Sequence, residues 1–171
     1  IPALIYHKTP DNFEEQLIVL RDRGYTTINM SELNSIIRGN ITAPSKPVAI
    51  TFDDGFSDQL RAFELLKKYN MKATFYIITG GELSNWCIGA DRKNLTCGDQ
   101  YLNWGEIKSL QNSGLIEIGS HTLDHLSLPN QSLAVQRDQI IRSKKILEEK
   151  YGKKITHLAY TGDNYTQFSI L

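Results

Sequence analysis

A parallel α/β architecture, either a (β/α) barrel or a doubly wound sheet, is the fold class this sequence predicts. Short apolar, β-rich runs alternate along the chain with stretches of helical periodicity. The residues richest in chemistry, Asp53-Asp54-Gly55 and His121 to His125, each stand directly after such a run, at a strand's C-terminal end. No internal repeat or low-complexity segment interrupts the alternation. The pattern alone does not choose between the barrel and the open sheet.

Ala3 to Tyr6 reads as a short buried strand. Thr9 as N-cap and Pro10 in the first turn then predict a helix. Its apolar positions Phe13, Leu17 and Leu20 recur at helical spacing, and Gly24 ends it. Thr26 to Ile28 is strand-like, and Ser31-Glu32-Leu33 opens a short helix that stops near Gly39. Residues 47 to 52, Pro-Val-Ala-Ile-Thr-Phe, form the strand that delivers Asp53 and Asp54. Leu60, Phe63, Leu66 and Tyr69 mark the next helix, and Ala73 to Ile78 a β-rich run. Asn103 caps a further helix, with Glu106 three residues on completing a capping box. Leu115 to Gly119 is the strand before the histidine pair. Ser132 to Tyr151 is a long amphipathic helix, and Ile155 to Tyr160 reads as a last strand.

With 171 residues the chain makes one domain large enough to bury a real core. Lys+Arg 19 against Asp+Glu 19 leaves no global field to draw nucleic acid or an anionic membrane, so neither is an expected partner. No apolar run approaches membrane-spanning length. The sequence starts without Met and shows no secretory h-region, and reads as trimmed, with any targeting segment out of view. Cys87 and Cys97 share one stretch rich in Gly, Asn and Asp, and allow either a loop disulfide or two unrelated thiols. Asn94-Leu95-Thr96 fits the glycosylation triplet, a pattern common by chance.

An isolated Asp-Asp-Gly is ordinarily turn chemistry. Adjacent carboxylates raise each other's pKa unless a cation or a difference in environment separates their roles. The histidines at 121 and 125, four apart, would fall on one face of a helical turn and could share one ion. An Asp with two His is a divalent-metal ligand set with open positions, which leaves the second Asp to act as a base. Asp124 is out of phase with both histidines and is expected to face outward.

Thr51-Phe52-Asp53-Asp54-Gly55 followed by His121-Thr122-Leu123-Asp124-His125 resembles the first two motifs of the polysaccharide deacetylases, the NodB-homology or carbohydrate esterase 4 group. Ile1 to His7 resembles the family's opening strand, nearest to deacetylases of biofilm poly-N-acetylglucosamine. Phe13 to Leu33, Ala73 to Ile77 and Tyr101 to Trp104 resemble further segments, so the likeness spans roughly residues 1 to 160.

The resemblance implies an irregular (β/α) barrel of fewer than eight strands. It implies N-deacetylation of a polysaccharide of N-acetylglucosamine, poly-N-acetylglucosamine or peptidoglycan, with release of acetate. Asp54, His121 and His125 would hold one divalent ion, zinc first, with cobalt, nickel, iron or manganese as alternatives. Asp53 would be the base. Tyr160 and Trp104 would meet substrate, with helix-start packing as the alternative for Trp104. Thr51 and Ser120 would support the ligands, and His7 would be structural or near the site. The family's extracytoplasmic habit favours a Cys87–Cys97 disulfide.

The chain also departs from the family. The third motif normally carries a Pro-aromatic pair before its Gly, and here reads Leu158-Ala159-Tyr160-Thr161-Gly162-Asp163. The late Leu-x-His segment that supplies the family's acid is absent. The expectation is a single domain over 1–171 whose C-terminal part is missing and whose barrel is not closed. Two other functions stay open: a glycan-binding relative without catalysis, and a metal-dependent amidohydrolase for small acylated substrates.

Overall fold

The computed structural model describes residues 1–80 and 101–162. Cys87, Cys97 and the Asn94 triplet lie outside the described residues. The elements run β1 (Ala3–Tyr6), α1 (Phe13–Asp22), β2 (Thr26–Ile28), α2 (Met30–Ile37), β3 (Pro47–Phe52), α3 (Gln59–Lys68), β4 (Ala73–Ile77), α4 (Trp104–Asn112), β5 (Ile116–Ser120) and α5 (Leu133–Tyr151).

All five strands are parallel and share one sheet. β3 is its middle. Ala49 pairs with Ala3 of β1 on one side and Ile28 of β2 on the other. Thr51 pairs with Ile5 of β1 and with Thr74 of β4. β2 and β4 therefore divide one edge of β3, while β1 takes the other. Among the described residues the sheet is open, with β1 and β5 at its two ends. The parallel α/β class expected from the sequence is what the fold shows, with the sheet not closed among the described residues.

β3 is buried from Val48 onward and β4 along its whole length because both of their faces are covered. The core centres on Phe13, Phe52 and Phe75, each fully buried. Their rings, with Tyr6, form edge and stacked contacts with centroids 4.9–5.5 Å apart.

Several element ends differ from expectation for identifiable reasons. Thr9 does not cap α1, which starts at Phe13. Its N–H and hydroxyl donate instead to Asp58 Oδ2 (2.8 Å) and to the Asp58 carbonyl (2.9 Å). α2 starts one residue before Ser31-Glu32-Leu33, at Met30, behind an Asn29/Glu32 capping box like that of Asn103 and Glu106 in α4. Its next two free donors are also satisfied: Met30 N–H by Thr74 Oγ1 (3.0 Å) and Ser31 N–H by Glu117 Oε2 (3.0 Å). Residues 155 to 160 do not form a strand. They make one parallel bridge, Leu158 to Ser120. The Ile155 N–H, which could extend the ladder, donates to Glu148 Oε1 of α5 instead (3.0 Å).

Strand alternation gives β5 two faces. Ile116 and Ile118 enter the core, and Ser120 Oγ reaches Ser143 Oγ of α5 at 2.6 Å. Glu117, Gly119 and then His121 line the other, inner face. Position 119 admits no side chain: a Cβ there would stand 2.6 Å from the Tyr76 ring.

Candidate active site

Two loops at the strands' C-terminal ends make the site. After β3, Asp53 N–H donates to the Tyr6 carbonyl (2.8 Å), extending the β1–β3 ladder by one residue. Asp54 (φ 71°) and Gly55 (φ 76°) are then both left-handed and turn the chain sharply. Aspartate tolerates that region better than most residues, and glycine adopts it freely. The buried Gln59 side chain ties the loop down, donating to the Asp53 carbonyl (2.6 Å) and the His7 carbonyl (2.7 Å).

The second loop is not the helical turn that the spacing suggested. Thr122 (φ 68°) and His125 (φ 54°) are left-handed, and these reversals bring the rings of His121 and His125 to 4.9 Å. The loop is clamped on several sides. His121 N–H donates to the Ile77 carbonyl (2.9 Å) and His125 N–H to Thr122 Oγ1 (3.1 Å). Thr122 N–H donates to Ser120 Oγ (3.2 Å), so Ser120 supports the loop backbone. Asp124 does not face outward. It is buried, accepts from Gln139 Nε2 (2.7 Å) and donates its N–H to Gln139 Oε1 (2.8 Å). A long-range partner on α5 decides its direction.

These loops bring Asp54, His121 and His125 together, with one ligand atom of each within 4.8 Å of the others. Asp54 Oδ1 lies 3.4 Å from His121 Nε2 and 3.2 Å from His125 Nε2. His121 Nδ1 is 3.1 Å from the Ala159 carbonyl, which can only accept. The ring hydrogen of neutral His121 therefore sits on Nδ1, and the Nε2 lone pair points at Asp54. Asp54 Oδ1 is buried and makes no hydrogen bond among the described residues. Converging lone pairs around a buried carboxylate oxygen fit a cation, and Asp/His/His suits a divalent one. Burial pushes the Asp54 pKa up, but when the two facing rings are protonated their N–H groups and positive charge more than reverse this and hold it below the usual carboxylate range.

Asp53 contrasts with its neighbour. Burial raises its pKa, the charge of Asp54 adds to the rise, and His121, His7 and His125 oppose it. Its Oδ1 is also buried without a hydrogen bond among the described residues. One carboxylate thus faces the histidine pair and the other stands ready for a proton, as two different roles require.

The structure adds two residues to which the sequence reading gave no chemical role. His7, exposed at the end of β1, is close enough for its charge to act on Asp53. A signal existed: Ile5-Tyr6-His7 is an aliphatic-x-His at a strand end, the spacing sought only late in the chain. Tyr101 stacks on Phe56 (centroids 5.1 Å) where the two residues form an antiparallel bridge. Burial, and then the Asp54 charge, raise its phenol pKa. Nothing local in the sequence announces that pairing.

Of the remaining candidates, Tyr160 is half-buried and directly follows Ala159, the residue that accepts from His121. Thr51 is buried in β3 between Ile5 and Thr74. Trp104 is not brought to the histidine pair. It packs edge-on against Tyr151 (6.1 Å) with Lys150 over its ring (5.7 Å), at the end of α5 away from Gln139 and Ser143. Its observed contacts match the helix-start packing alternative.

Comparison with known proteins points to one family. The profile of the polysaccharide deacetylase family matches residues 40–169. YxkH of Bacillus subtilis (strain 168), named as a predicted polysaccharide deacetylase, is 29% identical over 98% of this chain and 58% of its own length. The poly-beta-1,6-N-acetyl-D-glucosamine N-deacetylase of Escherichia coli (strain K12) is 28% identical over 63% of this chain and 16% of its own length. This chain therefore spans less than two thirds of either curated relative. Among solved structures, the Streptococcus pyogenes deacetylase PplD in complex with acetate superposes with a TM-score of 0.85 at 26% identity, covering 99% of this chain and 77% of that one.

Proposed function

The chain belongs to the polysaccharide deacetylase family, and from that premise we propose that it is a metal-dependent hydrolase removing N-acetyl groups from a polysaccharide of N-acetylglucosamine. The observation that carries the reading is the buried Asp54 oxygen, without a hydrogen bond among the described residues, facing two imidazole nitrogens, with a second carboxylate of opposite pKa tendency beside it. Zinc is the first candidate for the ion, and a mixed N/O set also suits cobalt, nickel, iron or manganese.

A divalent ion held by Asp54, His121 and His125 would supply Lewis acidity at the acetamide carbonyl and make water more acidic. Asp53 takes the proton of the attacking water, whose oxygen bonds to the carbonyl carbon. The C–N bond then breaks, and the sugar nitrogen must receive a proton to leave as an amine. His7 is the histidine outside the ligand set that stands on this face, and it gives that proton. Acetate and a glucosamine unit are the products. Tyr160 and Tyr101 flank the same region and would border the sugar. The substrates for which relatives are named support an extracytoplasmic setting. No helix among the described residues is long and apolar enough to cross a membrane.

Acetate release separates this reading from its rivals. With Zn²⁺ or Co²⁺ present, acetylated glucosamine oligomers should yield acetate at rates rising with chain length. Glycan binding with no acetate formed would point to a non-catalytic relative. Equal rates on oligomers and small acetamides would point to an amidohydrolase of small substrates. His7→Ala should lower kcat by about 10²-fold while the ion is retained. An unchanged kcat would take the acid role from His7.

A further inference from the structure

Below the metal-ligand candidates, on the same inner face of β5, lies a second cluster that the reaction does not use: Ser31, Glu117 and His157. Glu117 Oε2 accepts from the Ser31 N–H (3.0 Å) and the Thr74 hydroxyl (3.3 Å), and Oε1 accepts from the Ser31 hydroxyl. His157 Nε2 is 2.8 Å from Ser31 Oγ and 3.5 Å from Glu117 Oε1. Burial pushes the Glu117 pKa up, and the His157 and Ser31 hydrogen bonds outweigh it and hold the carboxyl below its usual range. The N-terminus of α2 adds a favourable dipole.

The residue types suggest a nucleophilic Ser-His-Glu relay, but the connectivity excludes one. In such a relay the carboxylate holds the imidazole, and the imidazole removes the serine proton. Here the carboxylate takes the serine hydroxyl directly, and the imidazole donates to the serine oxygen. That arrangement anchors His157 rather than activating Ser31.

The anchor matters for what His157 carries. Segment 157–160 is joined to β5 by a single bridge, so no long ladder sets its position. The His157 carbonyl accepts from Ser120 N–H (2.9 Å), and Ala159 N–H donates to the Ser120 carbonyl (2.9 Å). The Ala159 carbonyl then accepts from His121 Nδ1 (3.1 Å). At its far end the segment is pinned by the Thr161 hydroxyl, which donates to the Leu126 carbonyl.

We propose that Ser31, Glu117 and His157 form a positioning node that sets the Ala159 carbonyl against His121, and so holds His121 with its hydrogen on Nδ1 and Nε2 free to bind a metal. None of the three belongs to the candidate ligand set. The proposal rests on the metal reading above, and its test does not use acetate release.

The test is His157→Ala, compared with His157→Gln, whose side-chain amide can reach Ser31 Oγ from nearly the same point. Nitrogen-15 NMR of the ion-free protein reads the His121 tautomer, and chelator competition with Zn²⁺ or Co²⁺ reads affinity. The node predicts a largely Nδ1–H form of His121 in the parent protein and a mixture in His157→Ala. Metal affinity should fall about 10–100-fold, as for loss of an outer hydrogen-bond partner. His157→Gln should restore most of both. If His157→Ala does not fold, Ser31→Ala should shift the tautomer in the same direction. A folded His157→Ala, or failing that Ser31→Ala, with the parent tautomer and metal affinity within twofold of the parent would overturn the node. A loss of affinity that His157→Gln does not restore, with the tautomer unchanged, would also overturn it. A parent protein that binds metal but releases no acetate would defeat the deacetylase reading and leave the node standing.

Discussion

Replacing His121 or His125 with alanine should abolish tight divalent-metal binding, and turnover with it, while the fold persists. Each variant deletes one of three converging donors, so the loss of affinity should exceed the ~10–100-fold cost of removing an outer partner. The core that holds the sheet together, Phe13, Phe52, Phe75 and the aliphatic residues around them, lies on the helix side of the strands and is untouched. The stability cost in the ion-free protein should stay within about 1–3 kcal/mol. It should be larger for His121, whose side chain is 3% exposed, than for His125 at 26%. A pH signature should accompany it. Asp54 is held below its usual range, so it stabilises the fold above the unfolded carboxylate pKa, and that contribution is lost as pH falls through its folded pKa. Removing one imidazole raises the folded pKa and moves the acid-side loss to higher pH. Chelator competition and thermal melts across pH measure both effects. Either variant binding Zn²⁺ within twofold of the parent would defeat the ligand assignment.

Asp53→Asn should give the opposite pattern: the ion retained and activity reduced by ~10²–10⁴-fold, the range for loss of a general base. The substitution is isosteric and keeps the backbone bonds of residue 53, whose carbonyl accepts from Gln59 and whose N–H donates to Tyr6. It removes only the ability to take a proton. A base works when deprotonated, so kcat/KM of the parent protein should fall as pH drops through the Asp53 pKa. Burial raises that pKa, and a nearby cation would lower it again. The residual activity of Asp53→Asn should lack this acid limb. Release of the ion from Asp53→Asn would mean that the two aspartates had been given each other's roles.

The contrast between Asp53 and Asp54 marks the boundary of what the chain's order of residues could reveal. Adjacent in sequence, they differ because one faces His121 and His125, which arrive from the end of another strand. Their presence, their place after β3 and the metal-type residue set were all legible locally. Five strands and the Asn103 capping box were equally legible, since apolar alternation and a cap three residues from its partner are short-range signals.

Errors arose wherever a distant group outbid a local one. Thr9 looked like a helix cap, but Asp58, 49 positions away, takes its hydroxyl. Asp124 looked exposed by phase, but Gln139 draws it inward. The His121–His125 spacing suggested a helical turn, whereas backbone bonds to Ile77 and left-handed residues at 122 and 125 shape a loop. The sequence by itself determined the alternation of strands and helices and the reactive residue types at their ends, because each depends on neighbours within a few positions. Only the tertiary structure decided that β1 lies against β3 and carries His7 beside Asp53, that Tyr101 joins Phe56, and that Ala159 sets the His121 ring. Those outcomes depend on strand order and on hydrogen bonds between residues far apart in the chain, which local propensity does not encode.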